Sequence, residues 1–100
     1  MTNLEQEIEN KLRRMVTIHG GLCLKWVCPG WTGVPDRLVL LPGGILMFVE
    51  LKRPKGFKIS SMQKWWKRKL SGLGFDFCFV YCEQDIKDLE QVIIDRLNGR

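Results

Sequence analysis

Two acids and an amine carry the chemistry this 100-residue chain offers: Asp36, Glu50 and Lys52. Glu50 and Lys52 are two apart in the apolar run Ile45 to Lys52. On an extended strand they point to one face, about 6.6 to 6.8 Å apart along it. Asp36 follows the turn-forming Gly33-Val34-Pro35 and opens a second run, Arg37 to Leu41, with Pro42-Gly43-Gly44 as hairpin punctuation between the runs. Folding one run back on the other about Gly43 pairs residues whose numbers sum to about 86, which sets Asp36 opposite Glu50. Directly opposed residues share a sheet face, with Cα atoms about 4.5 to 5.5 Å apart. Neighbouring carboxylates raise one another's proton affinity, a cost that a divalent cation between them removes. Oxygen ligands favour Mg2+ or Mn2+, which accept one or two protein carboxylates and complete their shell with water and phosphate oxygens. An ammonium beside such an ion can orient or help deprotonate an attacking water and offset charge growing at phosphorus. A Glu and a Lys two apart at a strand end are by themselves usually a solvated ion pair. The arrival of Asp36 through an almost wholly apolar hairpin makes this pair different.

The elements that must position these groups follow from periodicity. Leu4, Ile8, Leu12, Met15 and Ile18 recur at three- and four-residue intervals, which predicts a helix stopped by Gly20-Gly21. Acids lead and bases trail along it, as the helix dipole favours. Leu22 to Cys28 reads as a strand broken by Pro29-Gly30, and a loop runs through Trp31 to Pro35. After the hairpin, Ser60 with Gln63 forms a capping box that opens a helix through Trp66 and Leu70, ending near Gly72 to Gly74. Phe75 to Cys82 is a fourth strand, and Ile86, Leu89, Ile93 and Leu97 set a last helix over Asp85 to Leu97. The order αβββαβα predicts an α/β layer with helices covering a mixed sheet.

A single domain spanning 1–100 is expected from the length, and the 45% hydrophobic and 27% charged fractions exclude a disordered or low-complexity chain. The net charge of +5 favours polyanionic partners. No apolar run reaches the roughly 18 residues of a membrane span, and the acidic start lacks the basic end of a secretion signal. A cytoplasmic protein with no membrane partner and no organic cofactor is the expectation. The four cysteines, Cys23, Cys28, Cys78 and Cys82, lie in or beside apolar runs without zinc-knuckle spacing, and read as reduced core thiols. His19, closing the first helix, reads as a capping or packing residue.

Gly33-Val34-Pro35-Asp36-Arg37, then Phe48-Val49-Glu50-Leu51-Lys52, then Ser60, Gln63 and Trp66, resembles the VRR-NUC family, the virus-type replication-repair nucleases of the PD-(D/E)xK superfamily. The likeness spans most of the chain and is to the stand-alone members found in phages and bacteria. It implies a restriction-endonuclease-like fold, with Asp36 and Glu50 as metal ligands, Lys52 as the catalytic lysine and Gln63 as the helix residue that supports the site. It also implies a metal-ligating acid from the first helix, for which Glu9 is the choice over Glu5 and Glu7. Small stand-alone members resemble Holliday junction resolvases that act as two-fold dimers. A 100-residue globule with a radius near 13 Å is too small to grip two duplex arms alone, so a homodimer on branched DNA is expected.

Eight basic residues fall within eighteen positions from Lys52 onward: Lys52, Arg53, Lys55, Lys58, Lys64, Lys67, Arg68 and Lys69. With Arg37 beside Asp36, these are candidate phosphate contacts, which position a backbone without reading its bases. Some of them must form the solvated face of a helix whose Trp66 and Leu70 are buried. Trp31 could stack on an unpaired base or wedge a branch point, or could serve as a packing or dimer anchor. The expected activity is that of a metal-dependent, structure-selective DNA endonuclease cutting four-way junctions. The alternatives are a flap or single-strand nuclease of repair or replication, and a non-cleaving DNA-binding accessory subunit.

Overall fold

A computed structural model describes residues 4–52 and 58–100. The order is α1 (Leu4–Ile18), β1 (Leu22–Lys25), β2 (Arg37–Leu41), β3 (Ile45–Leu51), α2 (Ser61–Gly72), β4 (Asp76–Val80) and α3 (Glu83–Leu97). The four strands form one mixed sheet in the order β1-β2-β3-β4. The first three are antiparallel neighbours, and β4 lies parallel to β3 after the passage through α2. This is the expected αβββαβα architecture.

The hairpin has the expected register, with Arg37 opposite Val49 and Leu41 opposite Ile45. Gly43 and Gly44 both sit at positive φ, 86° and 75°, a region open to glycine at little cost, and the chain reverses through them. Alternation along the strands then sorts side chains by face. Val39, Leu41, Met47, Val49, Leu51 and Val80 meet Ile8, Leu12, Met15 and Val16 of α1 and Ile86, Leu89 and Ile93 of α3 in one core. Burying each of these large side chains contributes about 1.5 to 3 kcal/mol. The opposite face carries Phe48, Glu50, Phe77 and Phe79, with α2 packed over its β4 side. Among the described residues nothing covers its β1 side: Leu22, Leu24 and Leu40 are 59%, 42% and 37% exposed.

Four expectations need correction. Leu4 and Ile18 are exposed and Val16 is fully buried. At 3.6 residues per turn Ile18 lies about 120° around the helix from Leu12, whereas Val16 lies about 40° away. The first strand ends at Lys25 rather than Cys28, although Trp26 N–H still donates to the Asp36 carbonyl at 2.9 Å. α3 begins at Glu83, because Asp85 reaches back to cap it, accepting from Tyr81 N–H at 2.8 Å and Cys82 N–H at 3.3 Å. Cys82 is thereby an exposed N-cap instead of a core thiol. The other three cysteines are half-buried, and burial pushes the Cys78 thiol up to about 12.

Candidate active site

The hairpin brings Asp36 and Glu50 together by reciprocal pinning. Asp36 N–H donates to Glu50 Oε2 at 3.0 Å, and Leu51 N–H donates to Asp36 Oδ1 at 3.1 Å. Each carboxylate is therefore held by the backbone of the other's segment, so the hairpin register itself fixes their approach. Gln63 adds a third anchor from α2. Its Oε1 accepts from Ser60 N–H at 3.0 Å and its backbone N–H donates to Ser60 Oγ at 3.1 Å, which completes the capping box. Its Nε2 remains for Glu50 Oε1, at 3.2 Å. The capping and supporting uses of Gln63 coexist because they employ different atoms.

Lys52 leaves β3 on the same face, and its Nζ lies 3.7 Å from Glu50 Oε1. The residue is 3% exposed. The parallel register places Phe79 opposite Glu50, with its ring centroid 5.9 Å from Lys52 Nζ and 5.3 Å from Lys67 Nζ. Phe79 thus has two ammonium groups near its ring. Sequence reasoning missed it, since the register of β4 depends on a crossover through α2 that leaves no local mark.

The electrostatics follow from this crowding. Burial first, and the Asp36 charge second, push Glu50 up to about 7, against the opposing pull of Lys52. Burial also raises Asp36, against the Leu51 N–H and Arg37. Burial lowers Lys52 while Glu50 and Asp36 hold it up. Paired, desolvated carboxylates that resist ionising together are a donor set suited to a hard divalent cation, and oxygen-only donors of this kind fit Mg2+ or Mn2+. Asp36 and Glu50 would hold it.

Glu9 stands apart from that pair. Its Oε1 meets Arg37 Nη2 at 3.0 Å, and Arg37 Nη1 lies 3.8 Å from Asp36 Oδ2, so a guanidinium links Glu9 to Asp36. Among the described residues no group of three acidic, histidine or cysteine side chains is gathered for a metal. The Arg37 side chain, 11% exposed, is drawn into this network instead of projecting outward. Lys58, Lys64, Lys67 and Arg68 are exposed, while Arg53 and Lys55 lie outside the described residues. His19 Nε2 meets Glu90 Oε2 at 2.8 Å, joining α1 to α3 in the helical layer. A hollow of about 360 Å³ at the outer edge of β4 is lined by Lys67, Cys78 and Phe79 among others and does not include Asp36 or Glu50.

No family model matches the sequence. A phage protein named "Putative nuclease p44", from Acyrthosiphon pisum secondary endosymbiont phage 1, is 39% identical over 89 residues, covering 89% of this chain and 90% of that one. A solved structure described as a VRR_NUC domain superposes with a TM-score of 0.82 at 26% identity, over 90% of this chain and 97% of the other. The chain belongs to the VRR-NUC family. The superposition takes in nine-tenths of this VRR-NUC chain, so the fold is shared over nearly its whole length. Among the described residues, no helix is long and apolar enough to cross a membrane.

Proposed function

We propose that this VRR-NUC chain is a Mg2+- or Mn2+-dependent endodeoxyribonuclease that cuts branched DNA, four-way junctions foremost, as a homodimer. The observation that carries the reading is the reciprocally pinned Asp36–Glu50 pair with the Lys52 ammonium 3.7 Å from Glu50 Oε1. Asp36 and Glu50 hold the cation. When bound, it supplies a water of lowered pKa and a counter-charge for the scissile phosphate. Lys52 orients the attacking water and neutralises charge at the phosphorus, and its own charge is poised by the carboxylates beside it. Gln63 fixes the Glu50 oxygen that faces Lys52. Glu9 joins as a third ligand only if its pair with Arg37 opens, which would also free Arg37 for a phosphate.

The exposed bases of α2 and the segment before it, Lys58, Lys64, Lys67 and Arg68, together with Arg53 and Lys55, hold the DNA backbone. The bare apolar stretch of Leu22, Leu24 and Leu40 supports pairing of two chains, which would present two sites with the symmetry of a four-way junction. The phage origin of the named relative favours a cytoplasmic setting in a bacterial or phage-infected cell. Incubating the protein and its Asp36→Asn variant with linear, flapped and four-way DNA, with and without Mn2+, tests the reading. Metal-dependent cleavage of the branched substrates, lost in the variant, is expected. Equal cleavage by the variant, or none on any substrate, overturns it.

A further inference from the structure

From the arrangement of Trp31, Trp65 and Trp66 we infer that the loop before Asp36 and the outer face of α2 form a stacking platform for an unpaired nucleobase beside the scissile phosphate. The inference rests on the nuclease reading of the site and names a feature of flapped substrates among the branched ones, since a fully paired four-way junction offers no free base.

Trp66 is the centre of the arrangement. It is half-buried, and its ring meets Trp26 edge-on at 6.3 Å. Trp31 lies 5.7 Å away at 73° and Trp65 5.1 Å away at 89°. Near-perpendicular packing uses an edge of one ring in each pair, and Trp31 and Trp65 remain 57% and 38% exposed, with Met62 beside them at 39%. Large aromatic surface left in water is unusual unless something covers it.

The platform is held in place from several sides. Trp66 Nε1–H donates to the Thr32 carbonyl at 2.9 Å, which fastens the residue following Trp31 to α2. Trp31 N–H donates to the Cys28 carbonyl at 3.2 Å. Gly33, at φ 76°, lies so close to the helix that a Cβ there would come within 2.6 Å of Met62 Cβ. Rings held in advance lose little freedom when a base arrives, which favours binding.

Its position ties it to the chemistry. Met62 and Gln63 are consecutive on α2, and Gln63 holds Glu50. Trp31 precedes Asp36 by five residues, a chain reach of at most about 18 Å. Lys64, Arg68 and Lys69 lie exposed on the same helix as Trp65. Aromatic faces interleaved with cations are the pattern that tracks single-stranded nucleic acid, because every base has a π-face and every linkage a charge. The leucines at the β1 side present no aromatic face, so the two apolar surfaces call for different partners.

The test measures DNA binding in EDTA by fluorescence anisotropy, using a blunt duplex, the same duplex with an unpaired flap, and the flap carrying abasic sites at its first unpaired positions. Trp31→Ala should weaken flap binding about tenfold, within the 5- to 150-fold range that one stacked base implies, and change duplex binding less than about twofold. Trp65→Ala should act in the same direction, and Trp31→Phe should restore most of the flap affinity. Abasic sites should bring the unaltered protein down to the level of Trp31→Ala. Equal losses on flap and duplex, no loss on either, or a change of oligomeric state in Trp31→Ala by light scattering would overturn the platform. A protein that never cuts DNA in Mn2+ yet keeps Trp31-dependent flap preference defeats the nuclease reading while sustaining the platform. A protein that cuts DNA but is indifferent to Trp31 does the reverse.

Discussion

Without a cation, the Asp36–Glu50 pair should weaken the fold as pH rises. Glu50 titrates near its ordinary 4.5 in the unfolded chain and near 7 in the folded one, because burial and the neighbouring Asp36 disfavour its charge more than Lys52 favours it. Between those values the folded state binds more protons than the unfolded state, so stability falls with pH through the window and the loss is complete above about 7. The gap corresponds to about 3 kcal/mol. The Asp36 side chain is 33% exposed, so solvent screens part of the repulsion, which leaves about 1 to 3 kcal/mol. That is a substantial part of the roughly 5 to 15 kcal/mol typical of a domain. Glu50→Gln removes the charge while keeping the side-chain shape. Urea unfolding at pH 5 and pH 8 in EDTA, followed by tryptophan fluorescence, should find the unaltered protein losing about 1 to 3 kcal/mol more than the variant between the two conditions. Mn2+ at pH 8 should restore the loss in the unaltered protein and leave Glu50→Gln unmoved, since only a bound ion stabilises by mass action. The same pH dependence in both proteins would refute the reasoning.

Gln63→Ala should lower stability by about 1 kcal/mol through the lost capping box. It should also slow cleavage about tenfold by releasing Glu50 Oε1, as urea melts and single-turnover rates would reveal. Gly33→Ala should destabilise by more than about 1 kcal/mol, because it places a Cβ against Met62 at a positive φ, and thermal melting checks this. Lys64→Ala and Lys67→Ala should each reduce the slope of log affinity against log salt by about 0.9 wherever that lysine contacts a phosphate. An unchanged slope in both would remove them from the DNA contact surface.

The parts of the site legible in the sequence are those governed by local chemistry. The glycines at 43 and 44 fix a reversal, strand period fixes the faces, and together they set Asp36 against Glu50 with Lys52 on the same side. Ser60 and Gln63 announce the start of α2 because a capping box is a four-residue signal. What escaped depends on tertiary placement. The pairing of Glu9 with Arg37 joins a helix to a strand whose approach no local pattern encodes. Phe79 reads as one apolar residue in a run, and only the parallel register of β4 brings it beside Lys52. Cys82 looks like the end of an apolar strand, but the reach of Asp85 back to its N–H starts α3 there.

Mn2+ uptake measured by electron paramagnetic resonance, in the presence of a non-cleavable phosphorothioate duplex, tests the central claim most directly. The unaltered protein should withdraw Mn2+ from solution to saturation, and Asp36→Asn and Glu50→Gln should each lose that uptake while still binding DNA. Undiminished uptake in both variants would contradict the assignment of these two carboxylates as the metal site.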